Sequence, residues 1–176
     1  LVDHLRTQGH SVRRLVRTAP TGDDRSWDPA RGELDPAALE GVDAVIHLAG
    51  YIEVGESVRE PIKYYRNNVG GALTVLEAMA LEGVKLFVFS STCATYGEPR
   101  ETPIPETHPQ DPINSYGASK LAIERALPHF ERAYGIKWTA LRYFNAAGAD
   151  PDGEIGEDHS PEIHIIPRAI EAATGG

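Results

Sequence analysis

Apolar and polar positions along the chain fall into two alternating rhythms, one of period near 3.6 and one of short continuous apolar runs. Residues 1–8 read as the tail of an amphipathic helix closed by Gly9, followed by a β-like run over 12–16. A turn-rich stretch (Pro20, Gly22, Asp23, Asp24, Pro29, Gly32) leads to a short helix near 36–40. Asp43-Ala-Val-Ile-His-Leu48 then predicts a buried strand that ends at Ala49-Gly50. A long helix over 61–81, stopped by Gly83, precedes a second apolar strand over 85–91 of the kind buried on both faces in parallel sheets. A proline-rich loop over 98–112 opens a helix over 115–134, a strand over 138–144 and a last helix from Pro167. Strands alternating with helices in this way imply right-handed crossovers and an α/β fold with a doubly wound parallel sheet.

The 176 residues are 41% hydrophobic and 24% charged, enough for one core. A net charge of −9 argues against nucleic acid or an anionic membrane as partner. No apolar run approaches the roughly 18 residues of a membrane helix, and the amino end shows no signal pattern, so a cytoplasmic protein is expected. Cys93 has no second cysteine to pair with, in keeping with a reducing compartment. The seven histidines show no ligand spacing with cysteine or carboxylate, and no metal is expected.

Candidate chemistry concentrates in Tyr116-Gly-Ala-Ser-Lys120, where a four-residue step on a helix puts a phenol and an ammonium on one face. A lysine so placed can lower the phenol's pKa from about 10 and make it a general base. The same spacing also suits a solvated surface pair. Ser90-Ser91-Thr92 stands at the carboxyl end of a predicted strand, where open α/β sheets place ligands. The Thr92 hydroxyl can hold a substrate hydroxyl or the phenol, or simply cap the next turn.

These segments, with Val54-Gly55-Glu56-Ser57-Val58, Tyr64-Tyr65-Arg66-Asn67-Asn68-Val69, Phe89-Ser-Ser-Thr-Cys-Ala-Thr-Tyr-Gly97, Leu141-Arg142-Tyr143-Phe144-Asn145 and Gly156-Glu157-Asp158, resemble the extended short-chain dehydrogenase family. The branch they most resemble is that of the nucleotide-sugar epimerases. The resemblance runs from about Asp43 onward. It implies a Rossmann-type domain and a reversible, NAD-dependent inversion at C4 of a UDP-hexose through a 4-keto sugar. It also implies that Tyr116 is the acid and base, that Lys120 holds cofactor ribose and tunes Tyr116, and that Thr92 completes the triad. Leu48, Ala49 and Gly50 would run against the cofactor, with Asn68 supporting that site and Phe144 beside the nicotinamide. Asn145 and His164, with Thr92 and Tyr116, would meet the UDP-sugar. A homodimer through helices 61–81 and 115–134 is a further implication, using the stripes Val69, Leu73, Leu76, Met79 and Leu121, Ile123, Leu127.

The sequence also departs from this pattern. The family's glycine-rich turn, which meets the pyrophosphate, is absent before Gly9, as is the first, central strand. Its loss is expected to part the strands at Val12 and Val45 from those at Val88 and Leu141. The chain is therefore expected to be an internal piece of an enzyme: residues 1–150 a partial dinucleotide-binding domain, 151–176 the start of a substrate lobe, with negligible turnover in isolation. Arg17 closes Val12-Arg-Arg-Leu-Val-Arg17 where NAD enzymes usually carry an acid, and residues 1–42 look more like an NADP-type branch. NAD is the first expectation and NADP the alternative. A dehydratase of the same family would need an acidic pair at Cys93 and Ala94; a decarboxylase, a reductase or a non-catalytic remnant are the other readings.

Overall fold

The structure, a computed structural model, describes residues 1–148, 150–154, 156, 162 and 164–175. The chain divides into two compact units, Leu1–Arg142 and Tyr143–Gly176. In the first, α1 (Val2–Thr7), β1 (Leu15–Val16) and β2 (Arg25–Ser26) lead to single turns of tight helix at Pro29–Arg31 and Pro36–Leu39. Asp28 and Asp35 cap those two turns by accepting from Ala30 N and Ala37 N, each at 3.0 Å. β3 (Ala44–His47), α2 (Val54–Arg59), α3 (Pro61–Tyr64) and α4 (Gly71–Glu82) follow, then β4 (Leu86–Thr92) and α5 (Ser115–Tyr134). β5 (Lys137–Tyr143) ends at the first residue of the second unit, which also holds α6 (Ile165–Thr174).

The long predicted helix is interrupted. Between α3 and α4 the backbone widens into a π-helical turn at Tyr65–Gly70, and both Asn67 and Asn68 are buried there. An α-helix turns about 100° per residue, so two adjacent inward polar side chains sit more comfortably on a widened turn. The helix predicted over 115–134 forms as expected. Asn114 caps it by accepting from Gly117 N at 2.8 Å, and it runs through Pro128.

The sheet is split, at a place other than that expected. β1 pairs in parallel with β2 (Leu15↔Arg25, Val16↔Ser26), a strand inside the stretch read as turns. The other sheet has the order β3-β4-β5, with Val45 opposite Phe87 and Ile46 opposite Val88 in parallel register. The strand at Val45 thus stays with the one at Val88, and the break falls between β1 and β3. A cavity of about 650 Å³ occupies that break, walled by Leu1, Leu5, Val12, Leu15, Ile46 and Leu48 among others. This also corrects the prediction of a buried strand over 43–48. Ile46 is 41% and Leu48 56% exposed, because alternate residues of β3 fall on one face of the sheet and that face borders the cavity without being covered.

The core lies between β4 and the helices, from Val75, Leu76 and Met79 of α4 through Phe87 and Phe89 to Ile123, Leu127 and Ile136. Of the apolar stripes on the two long helices, which suit packing on the sheet as well as a second subunit, Leu76, Met79, Leu121, Ile123 and Leu127 are buried, while Leu73 remains exposed.

His47 is packed among Trp27, Phe87 and Phe89, with ring centroids 5.9 to 6.1 Å away. Burial, reinforced by the Lys120 ammonium, lowers its pKa to about 3, so the imidazole is neutral in the folded state. The unfolded chain takes up this proton near pH 6.5 and the folded chain does not, so stability falls as the pH drops below that value. Between pH 6.5 and 5 this one group is expected to remove about 2 kcal/mol. Urea unfolding at both pH values should show that difference shrinking in His47→Leu; an equal pH dependence in both proteins would contradict it.

Candidate active site

Three successive residues at the carboxyl end of β4 meet three residues of α5 spaced one turn apart. Lys120 Nζ donates to the Ser90 carbonyl at 2.8 Å. The Ser91 hydroxyl donates to Glu124 Oε1. The Thr92 hydroxyl engages the Tyr116 phenol and also accepts from Ala94 N at 3.1 Å, capping the turn Cys93–Thr95. A hydrophobic strand driven into the core and a helix with polar residues at 116, 120 and 124 therefore lock together through polar tips.

Close approach of the two elements depends on Gly117. A Cβ there would collide with the Ala94 carbonyl oxygen and stand 2.9 Å from its carbon, well inside contact distance. The second close approach is at Gly50, just past β3. A Cβ there would lie 3.2 Å from Asn68 Oδ1 and 3.3 Å from Lys120 Nζ. Asn68 holds this turn by accepting from Tyr51 N at 2.8 Å and donating to Tyr51 O at 3.0 Å, with a further bond to Ser119 Oγ at 3.3 Å.

Burial raises the Tyr116 phenol above its ordinary value, and the Thr92 hydroxyl pulls it part of the way back. The Lys120 ammonium is turned onto the Ser90 carbonyl and lies 5.0 Å over the Phe89 ring. Lys120 itself is 3% exposed, and burial brings its pKa down to about 8.

Thr92, Tyr116, Lys120, Gly50 and Asn68 are therefore neighbours. Ala49 packs against the core beside them, while Leu48 lines the break in the sheet. Arg17, just past β1, donates to Asn67 Oδ1 at 3.0 Å and lies 5.6 Å over the Tyr51 ring. Asn67 in turn donates to Asn68 Oδ1 at 2.9 Å, which links Arg17 to the Gly50 turn. Phe144 and Asn145 are exposed residues following β5, and His164 stands at the N-cap position of α6 while bonding Glu162 at 2.9 Å. These three belong to the second unit. Glu157 and Asp158 of the Gly156 motif lie outside the described residues.

Glu124 is a residue that the sequence pattern did not single out. Its carboxylate receives Ser91, Arg142 Nη2 at 2.7 Å and Gln110 Nε2 at 2.9 Å. The signal was present as the continuation of the step 116, 120, 124.

Among the described residues no helix is long and apolar enough to cross a membrane. Comparison with known proteins adds the family. The UDP-glucose 4-epimerase of Streptococcus mutans is 58% identical over 187 aligned residues, covering 99% of this chain and 56% of that protein. Among solved structures, UDP-glucose 4-epimerase from Brucella ovis in complex with NAD superposes with a TM-score of 0.76 at 52% identity, covering 84% of this chain and 45% of that one. UDP-glucose 4-epimerase from Bifidobacterium longum in complex with NAD+ and UDP gives a TM-score of 0.70 at 40% identity, covering 77% and 42%. The chain spans about half the length of these relatives. With the model of the NAD dependent epimerase/dehydratase family matching residues 1–176 throughout, the chain belongs to that family.

Proposed function

We propose that this chain carries the acid–base half of an NAD-dependent UDP-hexose 4-epimerase that interconverts UDP-glucose and UDP-galactose. The observation that carries the reading is the convergence of Thr92, Tyr116 and Lys120 beside the Gly50–Asn68 turn. Two epimerases that share this sequence at 52% and 40% identity are complexes with NAD and with NAD+ and UDP.

The residues suit a dinucleotide. Lys120 presents a nearly buried ammonium next to a glycine whose missing side chain leaves room against Asn68. Such a cation calls for more acceptors than one backbone carbonyl, and ribose hydroxyls supply them. Leu48, Ala49, Gly50 and Asn68 would line the dinucleotide, with Phe144 near the nicotinamide. Arg17 already has Asn67 and Tyr51 as partners, which favours NAD over the phosphorylated form. A bound NAD would supply the hydride acceptor for C4 of the sugar and the donor that returns the hydride to the opposite face.

Tyr116 takes the proton of the sugar 4-hydroxyl and later gives it back. Thr92, whose hydroxyl both donates and accepts, holds the phenol and the sugar hydroxyl in line. Lys120 holds ribose and keeps a positive charge up to about pH 8. Asn145 and His164 belong to the sugar-nucleotide side. In this reading residues 1–150 form the dinucleotide-binding part and 151–176 open the substrate lobe, in a cytoplasmic enzyme. A homodimer would use the outer faces of the helices over 61–81 and 115–134, where Ile62, Leu73 and Leu81 remain exposed.

Dehydration is disfavoured by Cys93 and Ala94, which offer no acid after Thr92. The test installs residues 1–176 in place of the matching half of a full-length relative and follows conversion of UDP-galactose to UDP-glucose. Turnover within about tenfold of the parent is expected. Formation of a 4-keto-6-deoxy product, or no conversion by a folded, NAD-loaded chimera, would overturn the reading.

A further inference from the structure

Glu124 is a buried carboxylate at which four separate parts of the chain meet. Ser91 comes from β4, Arg142 from β5 and Gln110 from the loop between β4 and α5, while the glutamate itself is on α5. Arg142 grips it with Nη2 at 2.7 Å and Nε at 3.1 Å, then extends Nη1 to the Tyr96 hydroxyl at 2.8 Å. Its guanidinium also lies 5.1 Å over the Tyr96 ring, and Tyr96 meets His108 edge to face at 5.7 Å. Burial opposes the charge on Glu124, but hydrogen bonds from Arg142, Ser91 and Gln110 outweigh it and hold the carboxyl below its ordinary value.

We propose that Glu124, braced by Arg142, is a positioning residue that acts through Ser91 to set Thr92 against Tyr116. The proposal rests on the epimerase reading for its consequence in turnover, though not for its geometry. Ser90, Ser91 and Thr92 are consecutive, so fixing the Ser91 hydroxyl fixes the backbone that carries both the Lys120 anchor and the Thr92 hydroxyl. A stable core does not by itself require the Ser91 bond. Glu124 keeps Arg142 and Gln110 when that hydroxyl is removed, and the pair Glu124–Arg142 remains buried and satisfied. What is lost is one of the side-chain ties between the helix bearing Tyr116 and the strand end bearing Thr92, the Lys120 bond to the Ser90 carbonyl remaining.

Ser91→Ala is the decisive variant. The groups acting on the phenol are the hydroxyl of Thr92 and the thiol of Cys93, both at the β4 end, and Thr92 is the one that lowers it. Loosening Thr92 therefore raises the Tyr116 pKa. NMR titration of the NAD-loaded chimera carrying 13C-labelled tyrosine, with the Tyr116 signal identified by its loss in Tyr116→Phe, reads this directly and needs no turnover. An upward shift in Ser91→Ala is expected, with Ser91→Thr restoring the original titration. In the NAD-loaded enzyme the acidic limb of the kcat profile should move the same way, with kcat about tenfold lower and KM little changed. Glu124→Gln, which keeps the shape, should shift the phenol in the same direction. A Ser91→Ala titration that overlays the original, with only a lower Tm, would overturn the proposal and leave Glu124 a purely structural brace. A shifted titration in a protein without epimerase activity would instead overturn the epimerase reading and leave the positioning role standing.

Discussion

In the proposed epimerase, assayed as the chimera that carries residues 1–176 in place of the matching half of a full-length relative, replacing Tyr116 with phenylalanine is expected to lower kcat by about 10²–10⁴-fold while KM for the UDP-sugar changes little. The ring is retained, so the packing of α5 against the turn at Cys93–Thr95 is undisturbed and only the transferable proton is removed. The phenol is the half-buried oxygen that the Thr92 hydroxyl faces, and Lys120 is turned toward Ser90 rather than placed to take over the proton. Because burial raises the phenol, turnover of the unaltered enzyme should climb with pH as Tyr116 ionises, and that dependence should vanish with the residual activity of the variant. Initial rates across pH on both proteins, with bound dinucleotide quantified to confirm loading, measure the effect. A loss smaller than about tenfold would remove Tyr116 from the chemistry.

The second large effect concerns Gly117. Alanine at this position would drive a methyl into the backbone carbonyl of Ala94, 2.9 Å from its carbon, and to 3.1 Å from Pro112 Cβ. Neither obstacle is the free end of a flexible side chain, so the first turn of α5 must move outward. Overpacking of this kind costs about 1–3 kcal/mol and sometimes more, or roughly 2–4 °C of Tm per kcal/mol in a chain of this size. The same displacement separates Tyr116, one residue earlier, from Thr92, so activity should fall more than the stability loss alone explains. Gly70→Ala supplies the contrast. It is helical and meets nothing within 4 Å, so it is expected to be neutral or to stabilise by about 0.5–1 kcal/mol. Thermal unfolding of the two variants with matched rate measurements tests this. Equal behaviour of Gly117→Ala and Gly70→Ala would show that the approach of α5 to Ala94 is not constrained.

The helix over 115–134 and the strand at 86–92 were legible because each carries an uninterrupted periodic signal, and α5 in addition has an asparagine cap. The cluster of Thr92, Tyr116 and Lys120 was legible for the same reason, since one helix and one strand end position all three. β1, two residues long, falls inside the run expected over 12–16, but β2 was not legible. Runs that short have no periodicity, and Arg25–Ser26 carries no apolar residue at all. The position of the break in the sheet follows from pairing, a long-range property: β3 pairs with β4 across the whole of α2, α3 and α4, and no local pattern announces it. Glu124 was overlooked because a glutamate on an amphipathic helix ordinarily faces water, and only its partners Ser91, Gln110 and Arg142, drawn from three other segments, show otherwise.

The widened turn at Tyr65–Gly70 has a consequence for how this helix tolerates insertions and deletions. A π-helical turn holds one residue more than the α-helical turn it replaces. Deleting one residue from this stretch would restore the ordinary winding and leave the turns on either side in phase, but it would remove the room for two adjacent inward side chains, Asn67 and Asn68. Asn68 would swing away from Tyr51 and Ser119, whereas a deletion nearer the end of α4 would disturb only the approach to Gly83. A one-residue deletion within Tyr65–Gly70 is therefore expected to spare the packing of α3 and α4 and to cost the link from Asn67 and Asn68 to the Gly50 turn.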